Sequence, residues 1–88
     1  MIKAELKIQN SLGLHARPAA LFVQEASKFV SDIMVSKDDV EVNGKSVMGM
    51  MMLAAECGSS LKIMIKGKDE AQALAALKQL FDNKFNED

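Results

Sequence analysis

Ile2, Ala4, Leu6 and Ile8 alternate with Lys3, Glu5 and Lys7 at the start of the chain. A period of two puts the apolar set on one face and the charges on the other, the pattern of a strand buried on one side. The stretch "QNSLG" interrupts it with turn-forming residues. From Ala16 the period lengthens. Ala19, Phe22, Val23, Ala26 and Val30 fall at helical spacing, with Arg17, Gln24, Glu25 and Lys28 mostly opposite. Pro18 lies in the first turn, where its missing N–H costs nothing. The helix therefore starts near His15 or Ala16.

Two short strands follow. Ile33 and Val35 alternate, Lys37-Asp38-Asp39 turn the chain, and Val40 and Val42 alternate around Glu41. So short a connection implies antiparallel pairing. Asn43-Gly44 ends the second strand. Ser46 is then placed to cap a short helix, "VMGMMMLAA", with Gly58 as its stop. "SLKIMIKG" returns to period two, with Leu61, Ile63 and Ile65 on one face. Asp69 and Gln72 resemble a capping box before a last helix marked by Leu74, Leu77, Leu80 and Phe81. "NKFNED" reads as a frayed acidic tail.

The order is βαββαβα. Strands with one polar face need cover on one side only, and helices with one apolar stripe supply it. The expected fold is an α+β, open-faced two-layer sandwich: a four-stranded antiparallel sheet covered on one face by three helices. The 88 residues, with no linker or repeat among them, are expected to form one domain, 1–88.

Composition narrows the chemistry. Formal net charge is −1 and only four aromatic residues, all Phe, are present, so neither a basic stripe nor stacking rings point to nucleic acid. The single cysteine, Cys57, has no internal disulfide partner and is assigned no chemistry. No Cys/His cluster suggests a metal, and no cofactor is expected. The N-terminus lacks the continuous apolar run of a signal peptide or membrane span. A cytoplasmic protein, without membrane insertion and monomeric, is expected.

One constellation stands out. "GLHARPAA" sets His15, the only histidine, at the mouth of the first helix, two residues before Arg17. The first helical turn has backbone N–H groups without intrahelical acceptors, and the helix dipole adds positive character there, so it attracts anions. Arg17 adds a planar donor fork suited to phosphate oxygens. A neutral imidazole attacking phosphorus would form a phosphohistidine, whose labile N–P bond lets the group be passed on. The plainer alternative is a polar loop histidine beside a solvated arginine.

"GLHARPAA" also resembles the active-site signature of the HPr family, the histidine-containing phosphocarriers of the bacterial phosphotransferase system. "NGKSVMGMMMLAA" resembles the same family's region around a regulatory serine, and the likeness extends through essentially the whole chain. The resemblance implies that His15 accepts the phosphoryl group on Nδ1 and that Arg17 contacts it. It implies that Ser46 is a regulatory phosphorylation site, acted on by an HPr serine kinase where one is present. It implies a stoichiometric carrier, not an enzyme, taking phosphate from Enzyme I and giving it to an Enzyme II A domain. The ending "ALKQLFDNKFNED" is similar to the nitrogen-related branch, while the serine region also suits the sugar-transport branch. A regulatory subgroup of the family lacks the histidine. Met48, Met51 and Met52 are expected to offer partners a soft apolar patch. The competing readings are a purely regulatory module, whose phosphorylation controls a transcription factor or kinase, and a small RNA-binding domain, which charge and aromatic content disfavour.

Overall fold

The computed structural model describes residues 1–87. Its elements run β1 (Ile2–Lys7), α1 (Ala16–Ala26), β2 (Asp32–Lys37), β3 (Val40–Asn43), α2 (Val47–Met52), β4 (Ser60–Lys66) and α3 (Glu70–Asp82), then a short turn, Lys84–Asn86. The strands form one sheet in the order β1-β4-β2-β3, and every neighbouring pair is antiparallel. This is the open-faced α+β sandwich that the alternation of periods implies. Among the described residues no helix is long and apolar enough to cross a membrane.

Register follows the sequence pattern. Leu6 sits opposite Leu61 and Ala4 opposite Ile63, while Val35 pairs with Ile63 on one side and Val42 on the other. The apolar residues thus share one face, where Leu61, Ile63, Val35 and Val42 are buried and Ala4 and Leu6 partly so. Lys3, Glu5, Lys62 and Ser36 line up on the opposite, uncovered face, with Glu5 paired to Lys62. A slip of one residue would exchange the two faces, so burial fixes the register. Phe22 from α1 and Phe81 from α3 meet edge to face, centroids 6.2 Å apart, above the sheet. Burying each such ring contributes about 2–3 kcal/mol.

Four local features differ from the sequence reading. α1 ends at Ala26, so Val30 lies beyond it and is exposed, not on the apolar stripe. α2 stops at Met52, well before Gly58. Leu53 and Ala55 turn into the core, and Ala54 between them takes a left-handed conformation that ends the helix. Asp69 precedes α3 but makes no side-chain cap bond. Its carboxylate instead accepts from the Val30 and Ser31 backbone N–H groups, 2.9 and 3.0 Å, and from the Ser31 hydroxyl. A partner across the fold has displaced the local one.

The fourth difference is the tail. Lys84, Phe85 and Asn86 all adopt positive φ (53°, 53° and 60°), which turns the chain back toward the molecule. Phe85 is fully buried, its ring 4.9 Å from that of Phe81. Left-handed backbone costs a non-glycine residue roughly 1 kcal/mol or more. Three consecutive residues incur that cost, and burial of the phenyl ring against an aromatic neighbour together with the bonds that Glu87 makes to Asn10 and His15 works against it. Residues 83–87 are therefore docked, not frayed.

Candidate functional site

The loop before α1 is shaped by Asn10 and Gly13. Asn10 is buried, and its Nδ2 donates to the Gly13 carbonyl at 2.7 Å. Gly13 has φ +73°, and a Cβ there would stand 2.6 Å from the Ala55 carbonyl oxygen. Only glycine accommodates both the conformation and the approach. The Leu14 N–H then donates to that Ala55 carbonyl at 2.8 Å, which ties the loop to the segment following α2.

This places His15 as the N-cap of α1. Its backbone is extended and its carbonyl accepts the first helical bond, from the Ala19 N–H at 3.0 Å. Its side chain makes no cap bond, so the ring is free to face outward, and it is 38% exposed. Ala16 and Arg17 are the first two helical residues, whose N–H groups have no acceptor within the helix, while Pro18 has none to offer.

One edge of the ring is engaged. Nε2 lies 2.9 Å from Glu87 Oε2 and 3.1 Å from Oε1. Among the described residues Nδ1 has no hydrogen-bond partner. Glu87 is itself held: Asn10 Nδ2 donates to its Oε1 at 2.9 Å. Arg17 is exposed and has no ion-pair partner among the described residues. With Ser11, Leu12, Asn86 and Glu87 it lines an open depression of ≈ 390 Å³. Glu87, which holds the imidazole, thus shares a depression with Arg17, and both lie at the mouth of α1. A helix mouth beside an arginine can bind an anion, and the partly exposed imidazole is a nucleophile at its edge. Other hollows lie on the uncovered sheet face, where Lys3, Glu5, Lys62 and Ser36 alternate, and neither His15 nor Arg17 lines them. A deep pocket is not required of a protein whose reactant arrives on another protein's surface.

Ser46 is the N-cap of α2, its Oγ accepting from the Gly49 N–H at 3.1 Å. Of the methionines beyond it only Met50 enters the core. Met48 and Met52 are 78% and 70% exposed, and Met51 and Val47 are exposed to a lesser degree. Sequence reasoning reached His15, Arg17, Ser46 and the outward methionines. It missed Asn10 and Glu87. Asn10 lies inside a recognised turn, but nothing local indicates its reach to the tail, and Glu87 sits in a stretch whose polarity resembles any solvated terminus.

Residues 2–83 match the family model described as the PTS HPr component phosphorylation site. The chain belongs to the HPr family. It is 50% identical to the phosphocarrier protein HPr of Treponema pallidum (strain Nichols) over 88 residues, all of both proteins. The crystal structure of HPr-C-His from Thermoanaerobacter tengcongensis superposes with a TM-score of 0.95 at 50% identity, covering 100% of this chain and 99% of that one. Crh, the Bacillus subtilis catabolite repression protein, is similar at a TM-score of 0.75 and 42% identity, covering 96% of this chain and 97% of that one. Its crystal structure is described as a dimer with a swapped domain. The expectation of a monomer thus gains no support from the fold's known members. Membership in the HPr family makes this chain a phosphocarrier component of the phosphotransferase system, a carrier and not an enzyme.

Proposed function

We propose that this HPr-family chain carries a phosphoryl group on Nδ1 of His15, taken from phosphorylated Enzyme I and passed to an Enzyme II A domain. The observation that carries the reading is the environment of the ring: Nε2 is engaged by Glu87, no described residue bonds Nδ1, and the side chain is partly exposed. In the forward step the Nδ1 lone pair attacks phosphorus. The donor's P–N bond breaks, and its electron pair returns to the donor imidazole. Arg17 and the first amides of α1 meet the equatorial phosphoryl oxygens, on which charge is concentrated during transfer. The same step in reverse, against a different imidazole, delivers the group to the acceptor. No cofactor or metal enters either step.

Met48, Met51 and Met52 form the docking patch in this reading. Unbranched thioether side chains repack against differently shaped surfaces, which suits a carrier that meets both a donor and an acceptor. Ser46 is the regulatory site. A phosphate added there by a serine kinase stands at the favourable end of α2, so the helix survives while the docking surface gains negative charge. The protein works as one domain in the cytoplasm, where its phosphotransferase partners are met. Similarity to Crh favours a second role, in which the Ser46-phosphorylated form regulates another protein.

The test is incubation with Enzyme I and phosphoenolpyruvate. The reading expects one acid-labile phosphate in the native protein, transferable to an Enzyme II A domain, and none in His15→Ala. Acid-labile phosphate on the variant would overturn it.

A further inference from the structure

Glu87 is held too firmly to be a chance surface pair. Its side chain is only 13% exposed. Three separate features bring it beneath His15: the buried Phe85 ring, the left-handed turn at Lys84–Asn86, and the buried amide of Asn10. The orientation of that amide is fixed by chemistry, since both of its partners, the Gly13 carbonyl and the Glu87 carboxylate, accept and need an N–H. Asn10, in the first loop, thus helps to hold Glu87, 77 residues further on, against the histidine.

We propose that Glu87 is a positioning residue for His15: its carboxylate holds the imidazole proton on Nε2 and so presents Nδ1, with its lone pair, as the nucleophile. An ionised carboxylate only accepts hydrogen bonds, so the ring nitrogen 2.9 Å from it must carry the proton. In a neutral ring the other nitrogen is then unprotonated. When Nδ1 bonds to phosphorus, the Nε2 proton stays in place and the ring becomes a phospho-imidazolium. Its positive charge faces the Glu87 carboxylate. The carboxylate therefore interacts more strongly with the charged ring of the transfer step than with the neutral ring before it.

The proposal rests on His15 being the phosphoryl acceptor, but its test has a readout independent of that. With one histidine in the chain, 15N-histidine labelling gives an unambiguous spectrum. In the unmodified protein the proton should reside on Nε2 and exchange slowly with water. Glu87→Ala should lose that protection and populate both tautomers, Glu87→Gln should retain part of it, and Glu87→Asp should restore it in part. Transfer from Enzyme I to Glu87→Ala should be about tenfold slower with docking affinity unchanged, the size expected from a loosely held nucleophile. Melting curves establish that each variant is folded. A proton found on Nδ1 of the unmodified protein, or a Glu87→Ala spectrum and rate equal to the native ones, would overturn the assignment. Failure of the native protein to take acid-labile phosphate would instead remove the carrier reading, with the tautomer still deciding what Glu87 does.

Discussion

Arg17 and Ser46 act through different physics, and their substitutions should separate accordingly. Arg17 stands in the same depression as Glu87 and two residues after His15, where the proposed mechanism has charge develop during transfer. Arg17→Ala should therefore slow the transfer step by about 100-fold, the effect of removing one preorganised charge donor, with little change in docking. Stopped-flow transfer kinetics beside a binding assay check this, and a large loss of affinity with an unchanged step would move Arg17 to the interface. Ser46 caps α2 through the Gly49 N–H. Aspartate caps a helix as well as serine does, so Ser46→Asp should leave the melting temperature within a few degrees of native. Its charge beside the methionine patch should weaken association with Enzyme I, and added salt should reduce the effect if the repulsion is long-range. Melts and phosphorylation rates at two ionic strengths test both parts.

The last docked turn is the element whose role most exceeds its appearance in the sequence. Phe85→Ala removes a fully buried ring packed on Phe81. The cost should be about 2–3 kcal/mol, toward the low end for phenylalanine truncation because the tail can undock without opening the core. Urea unfolding measures it, and the spectrum of His15 should change in parallel as Glu87 is released. The longer strands and helices were legible because they repeat a simple period over five or more residues: the Leu61-Ile63-Ile65 alternation and the Leu77-Phe81 stripe each appear as predicted, whereas in the four-residue β3 only Val42 is buried and Val40 is exposed. The tail has no period. One Phe among polar residues signals nothing until the Phe22–Phe81 pair supplies a surface for it. Asp69 misled for the related reason that a cap motif is local, whereas Val30 and Ser31, its actual partners, come from the loop after α1. His15 and Arg17 were legible because a helix mouth is itself a local feature. Glu87 and Asn10 were not, because their meeting is purely tertiary.

At the scale of the whole molecule, Asp69 ties the α3 start to the loop between α1 and β2, and this joint titrates. The hydrogen bond from the Ser31 side chain, followed by that from the Val30 backbone, holds its carboxyl below the usual carboxylate range. A folded-state value below the unfolded one means that the contribution is complete above the unfolded value and disappears as pH falls through the folded one. The melting temperature should therefore drop on acidification below about pH 4. Asp69→Asn should show a shallower acid dependence, which thermal melts from pH 7 to pH 3 will reveal; parallel curves would mean that the joint contributes nothing to acid sensitivity.

The same molecular frame, a loop pinned at Asn10 and Gly13, a helix opening at His15 and a tail returning to Glu87, holds the ring by Nε2, and the proposed function makes Nδ1 the nucleophile. That claim is tested most directly by locating the phosphate. The 15N-histidine-labelled protein, phosphorylated with Enzyme I and phosphoenolpyruvate and kept alkaline, should show a 31P–15N coupling to Nδ1 of His15. Coupling to Nε2, or an acid-stable phosphate with no coupling to the ring, would contradict it.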